Sequence, residues 1–244
     1  MKCPGQDTQY WDQDAIFETH CPECGHEMEF FKDDATRRCS HCSKKIVNPK
    51  MDFGCAAYCK FAEQCLGTLP EEFVAKQEDL LKDRVAVAMK RYFGTDFTRI
   101  GHAGRVARYA EKIGKQEKAN LAVVLCSAYL HDIGIKNAEQ KYGSAEAKYQ
   151  HIEGPPVAKE ILENLGAKEE LVKEVCDIIA HHHHPGSDET INFKVVYDAD
   201  MLANMAECQK KEQIDADTLS KKILRIYLTD AGRKLARQTL IQNS

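Results

Sequence analysis

A surplus of positive charge is missing from this 244-residue chain: 34 Lys and Arg stand against 38 Asp and Glu, a formal charge of −4. Without it there is no electrostatic drive toward a nucleic-acid duplex or an anionic membrane surface. Dividing the chain at residue 69 uncovers no hidden basic block, with 8 basic and 11 acidic residues before that point and 26 and 27 after it. Long apolar runs are missing too. The longest, around Leu121 to Leu130, is too short to span a bilayer and is interrupted by Ser127. The opening residues, MKCPGQD, lack the apolar centre of a signal peptide, so a soluble cytoplasmic protein is expected. Disorder is excluded from the other side, because 43% hydrophobic residues suffice to bury a core of about 150 residues or more.

Cysteine and histidine, by contrast, are abundant and clustered. Eight of the 11 cysteines lie in the first 65 residues, as Cys3, Cys21, Cys24, Cys39, Cys42, Cys55, Cys59 and Cys65. In a chain without an export signal, such paired spacing points to metal binding rather than to a disulfide scaffold. Four of the 10 histidines are consecutive, His181 to His184, inside the chain where a purification tag would not sit.

The chain changes character near Thr68. Residues 1–67 show short polar turns and no sustained helical period. Thr68-Leu-Pro-Glu71 then has the form of a helix start, with an N-cap hydroxyl, Pro in the first turn and Glu in the capping-box position. Helices are predicted over about 70–92, 96–115, 120–132, 154–165, 168–184, 194–210 and 215–240, with no strong strand alternation. The expected organisation is a small cysteine-rich domain, 1–67, followed by an all-α domain, 68–244; the fold class is mainly α.

Cys21-Pro-Glu-Cys24-Gly and Cys39-Ser-His-Cys42 are two C-x2-C pairs with 14 residues between them. Each short loop turns two sulfurs onto one ion, so the two loops supply a tetrahedral S4 shell. The first loop resembles the knuckle of zinc ribbons and rubredoxins. Four thiolates leave no open position, which implies a structural zinc, and a segment with so few aliphatic residues needs such a staple to fold. Cys3, Cys55, Cys59 and Cys65 suggest a second site for zinc or an iron–sulfur cluster, since thiolate count does not separate them.

The helical wheel places the other candidates. Leu121, Val124, Leu125 and Ala128 form a buried stripe that His131 and Asp132 continue inward. A charge stranded there needs a cationic partner, and a metal ion is the economical one. His102 shares a face with Val106, Tyr109 and Ile113. His182 follows Leu171, Val175 and Ile178, and His183 follows Val172, Cys176 and Ile179, whereas His181 and His184 fall on the wet face. One inward histidine is ordinarily a satisfied core residue; several converging ones are ligand candidates.

His102, then His131-Asp132-Ile-Gly134, then Tyr197-Asp-Ala-Asp200-Met-Leu together resemble the H…HD…D signature of HD-domain proteins, over about residues 72 to 205. These are mostly metal-dependent phosphohydrolases with an all-α fold. The resemblance implies His102, His131, Asp132 and Asp200 as ligands of one metal. Asp200 enters on the family pattern alone, because the wheel does not choose between Asp198 and Asp200. His151 falls where two-metal members place an extra His, and His182 and His183 match their later pair, so Asp132 is expected to bridge two ions. The Gly-Tyr-Pro that follows this pair in cyclic-dinucleotide members is replaced here by Pro185-Gly-Ser. Ile135 also separates HD-I-G from Lys136, where many members have Lys directly.

Mixed imidazole and carboxylate ligands suit Mn, Fe, Co, Ni or Zn. The implied function is hydrolysis of a phosphate ester or anhydride on a nucleotide or small metabolite, with Asp132 central and Lys136, Arg105 or Arg99 as phosphate contacts. An HD-type di-iron oxygenase would use nearly the same ligands, and a regulatory module sensing metal or redox state is a third reading. The expected partner is a small phosphorylated substrate, with no nucleic-acid duplex and no membrane. The cysteine block is free to cover the active-site mouth or to build a homodimer contact.

Overall fold

The computed structural model describes residues 16–31, 34, 36–49, 71–212 and 214–242, with only the backbone described at 71–79 and 242. Cys3, Cys55, Cys59 and Cys65 lie outside the described residues, as does Thr68 with its expected cap. The chain divides into two compact units, Met1–Leu80 and Leu81–Ser244.

In the first unit, β1 (Ile16–His20) pairs antiparallel with β2 (Glu27–Phe31), and β3 (Thr36–Arg38) with β4 (Lys45–Val47). The register sets Ile16 opposite Phe31 and Thr36 opposite Val47. Met28 and Phe30 alternate inward along β2, where they meet Ile46 and the half-buried Phe17. These strands are three to five residues long, too short for alternation to stand out in the sequence.

The second unit is helical, and the fold class is mainly α. Its helices are α1 (Glu71–Phe93), which runs across the division between the units, α2 (Phe97–Glu117), α3 (Leu121–Leu130), α4 (Ile135–Tyr142), α5 (Ala147–Asn164), α6 (Glu169–His181), α7 (Ile191–Lys211), α8 (Ala216–Ile226) and α9 (Asp230–Arg237), before a π turn at Gln238–Gln242. Side chains start the helices locally: Asp96 accepts the Arg99 N–H at α2, Asn120 those of Ala122 and Val123 at α3, and Thr190 that of Phe193 at α7. Helix α3, apolar on nearly every face, packs against α2, α6 and α7. No helix among the described residues is long and apolar enough to cross a membrane.

Three departures from the sequence reading have physical causes. The helix expected from 154 begins at Ala147, with Pro155 and Pro156 inside it. Proline favours a first turn, which moved the expected start to the wrong place; here packing against α4 and α6 outweighs two missing donors. Helix α4 was not expected, being too short to show a period; Lys141 and Tyr142 near its end pin it to α5 through Glu153, at 2.6 and 3.1 Å. The helix expected over 215–240 breaks at Tyr227. Buried Asp198 accepts from the N–H of Leu228, the N–H of Thr229 and the Thr229 hydroxyl, at 2.8, 2.8 and 2.6 Å. The same hydroxyl then caps α9 by accepting from Gly232.

Candidate metal centres

The first candidate centre lies in the small unit. Cys21 and Cys24 flank the β1–β2 turn, and Cys39 and Cys42 the β3–β4 turn. The two turns repeat one hydrogen-bonding scheme: Gly25 N–H to Cys21 O in one, Ser43 N–H to Cys39 O in the other. Gly25 and Ser43 are both left-handed, at φ 70° and 61°, so the second knuckle carries a side chain where the first uses glycine. The four sulfurs lie within 4.8 Å of one another, with Cys21–Cys42 and Cys24–Cys39 both at 3.6 Å. Sulfurs bound at 2.3 Å to a tetrahedral zinc stand about 3.8 Å apart, so the set fits the ion. The N–H groups of Cys42 and His41 point at the Cys39 sulfur and lower its thiol to about 6, toward the thiolate that binds metal.

The second centre gathers residues from five helical segments. His102 projects from the middle of α2, His131 and Asp132 follow α3, His151 sits in α5, His182 and His183 follow α6, and Asp200 projects from α7. His102, His131 and Asp200 form one group and His151, His182 and His183 another, the donor atoms in each lying within 4.8 Å. In the first, His102 Nε2 is 3.1 Å from Asp200 Oδ1 and 3.3 Å from His131 Nε2. In the second, His151 Nε2 is 3.2 Å from His183 Nδ1. Asp132 addresses both: Oδ2 is 3.3 Å from His131 Nε2, and Oδ1 is 3.9 Å from His182 Nε2.

One local device aims two of these rings. His131 and His182 are each the first residue past a helix, where the last carbonyls lack partners. His131 Nδ1 donates to Ala128 O at 2.9 Å and His182 Nδ1 to Ile179 O at 3.0 Å. That places the proton on Nδ1 and leaves each Nε2 lone pair facing the centre. A close helix contact brings the groups together. A Cβ on Gly134 would lie 2.5 Å from the backbone N of Gly154, so only glycine lets the turn after His131-Asp132 lie on the helix that bears His151.

Donor atoms about 2.1 Å from an ion stand roughly 3.0–3.4 Å apart in octahedral or tetrahedral shells, close to the spacings found here. Within the described residues the buried His182 Nε2 has no hydrogen-bond partner, and its lone pair suits a cation. The electrostatics agree. Burial, with the neighbouring imidazoles, lowers His182 to about 3 and His151 to about 4, so both rings are neutral at pH 7. Burial opposes charge on His131 as well, but the Asp132 and Asp200 carboxylates outweigh it and raise His131 to about 9. Burial likewise opposes ionisation of Asp132, and the surrounding imidazoles outweigh it, holding that carboxyl far below the usual range.

Asp200 lies with His102 and His131, whereas Asp198 is spent on the α8–α9 turn. His184 is exposed, as the wheel placed it, whereas His181 is half-buried, stacked on Phe193 with Nε2 3.3 Å from Glu189. The three expected phosphate contacts are engaged elsewhere. Lys136 donates to Tyr92 O at 2.9 Å, Arg99 pairs with Asp96 and Glu139 at 2.9 and 2.6 Å, and Arg105 pairs with Glu207. A long cationic side chain finds its partner on another element, which sequence position does not show. Glu207 escaped the sequence reading altogether; its only trace there is its place two turns after Asp200 on one helix.

Comparison with known proteins bears on the helical core. The family model described as HD domain matches residues 99–205, which take in His102, His131, Asp132 and Asp200. Among solved structures, a predicted HD superfamily hydrolase from an uncultured Thermotogales bacterium is similar at 25% identity, covering 66% of this chain and 83% of its own, with a TM-score of 0.46. Bacillus subtilis YpgQ in complex with ADP is similar at 25% identity, covering 66% and 88%, with a TM-score of 0.47. No curated protein matches the chain significantly.

Proposed function

We propose that the HD domain is the catalytic core of a metal-dependent phosphohydrolase with two divalent transition ions, one at each imidazole group and Asp132 between them. The observation that carries this reading is the Asp132 carboxylate, whose two oxygens face the two groups, beside a buried His182 Nε2 that has no hydrogen-bond partner among the described residues. Cations held by these residues would supply Lewis acidity toward phosphoryl oxygens and a more acidic water. The chain's own residues prepare the site: the helix-end carbonyls fix the rings of His131 and His182, and Asn204 Nδ2 holds Asp200 Oδ1 at 3.0 Å. The substrate is a small phosphate ester or anhydride, on a nucleotide or a phosphorylated metabolite, rather than a nucleic-acid duplex or a membrane lipid. The Cys21, Cys24, Cys39 and Cys42 set holds a structural zinc.

The test is phosphate release from a panel of nucleotides and phosphorylated metabolites by the full chain loaded with Mn or Co. Release that disappears in Asp132→Asn supports the reading. No release from any substrate, with substrate-dependent O2 uptake by the iron-loaded protein, overturns it in favour of the oxygenase.

A further inference from the structure

His131 and His182 are aimed by helix-end carbonyls, a means closed to His102. In mid-helix the neighbouring carbonyls already accept from N–H groups one turn on, so a partner for His102 Nδ1 must come from another element. It comes from Glu207, whose Oε1 accepts from His102 Nδ1 at 3.4 Å while His102 Nε2 faces Asp200 and His131. Asp200 and Glu207 stand two turns apart on α7, and His102 and Arg105 one turn apart on α2, so two facing helices bring all four together. Arg105 Nη2 donates to the same Glu207 oxygen. Arg105 and Glu207 also line a cavity of about 800 Å³ whose walls include none of the seven imidazole and carboxylate residues of the centre.

From this arrangement we infer that Glu207 is a positioning residue for His102, fixing its proton on Nδ1 and its Nε2 lone pair toward the His131–Asp200 group, and that Arg105 holds Glu207 in place rather than meeting a substrate phosphate. The inference rests on reading the His102 group as a cation site. Carboxylates behind ligating histidines are commonly worth 10–100-fold in metal affinity.

The experiment is calorimetric titration of the metal-free full chain with Mn, an ion that favours nitrogen and oxygen ligands over the cysteine sulfurs. Circular dichroism on each variant reports helix content. Glu207→Ala is expected to weaken Mn binding about 10–100-fold at one site. Glu207→Gln, whose amide oxygen still accepts from Nδ1, recovers most of that loss. Arg105→Gln weakens Mn binding a few-fold and leaves the KM of a phosphoester unchanged at saturating Mn. Wild-type Mn affinity in folded Glu207→Ala overturns the inference, as does Arg105→Gln with normal Mn affinity and a raised KM. Should Glu207→Ala lose helix content, the Gln variant decides: affinity near wild type supports the role of the accepting oxygen, and affinity as poor as that of a His102→Ala chain overturns it. A wild-type chain that binds Mn but hydrolyses nothing overturns the phosphohydrolase alone; one that binds no Mn overturns both.

Discussion

The four sulfurs of the cysteine unit come from two turns of matching design and sit over a core in which, among the described residues, Met28, Phe30 and Ile46 are the buried apolar side chains besides Cys21 and Cys39. The ligand candidates of the helical unit come from segments as far apart as His102 and Asp200, 98 residues distant, and are carried by a core of packed helices that extends well beyond them. A site whose ligands are neighbours in sequence supplies most of the order around it. A site gathered from distant helices is ordered by the fold and adds chemistry to it. On the proposed function, an ion would be a folding element in one unit and a guest in the other.

Removing metal breaks that comparison most sharply. A structural zinc of this type contributes about 10–16 kcal/mol at pH 7, more than three buried apolar side chains supply. Chelation, or Cys39→Ser, is expected to abolish amide-exchange protection across residues 16–49 while the amides of α2, α3 and α7 stay protected. Loss of protection in both units together would show that the helical core also depends on its ions.

Within the helical unit, Asp132→Asn is expected to lower phosphate release more than about a hundredfold, beyond the cost of losing a partner behind a ligand. Mn affinity should fall at both groups, with the helical circular dichroism unchanged. A variant that loses one ion and keeps the other tight would place Asp132 in a single group.

Asp198 and Asp200, two residues apart, separate fold from chemistry. Asp198→Ala leaves two N–H groups and a hydroxyl without their acceptor and is expected to cost about 2–4 kcal/mol in a urea titration with Mn binding kept. Asp200→Ala should do the reverse. Equal destabilisation by both would show that Asp200 holds the fold rather than an ion.

The smallest effect is on pH. In the metal-free chain, His182 and His151 have folded values of about 3 and about 4 against an ordinary 6.5, so the unfolded chain binds protons that the folded one refuses. Stability is therefore expected to fall as pH drops from about 6.5 toward 4. His131, raised to about 9, acts oppositely: its contribution is full below 6.5 and is lost as pH rises through 9. Urea midpoints of the metal-free chain should peak near neutral pH, and His182→Asn should flatten the acid limb. An unchanged acid limb in that variant would show that its neutral ring does not set it.

Much of this arrangement was legible from periodicity. The wheel is a local property, and it placed His131 and His182 inward because each continues a stripe of buried aliphatics already on the same helix. It could not separate Asp198 from Asp200, since that choice depends on a turn 30 residues away in sequence. The family pattern made the choice instead. Helix α4 and the four strands were too short to carry a period. Packing against other helices, invisible in the sequence, let α5 start before its two prolines. Partner choice was least legible: Lys136, Arg99 and Arg105 were read as phosphate contacts, and each pairs with a carbonyl or carboxylate from another element.

Anomalous diffraction from crystals of the full chain grown with Mn would decide whether Asp132 lies between two ions. Two ions are expected in the helical unit, one against His102, His131 and Asp200 and one against His151, His182 and His183, each touching an oxygen of Asp132. A single ion, or an imidazole cluster holding none at saturating Mn, would contradict it.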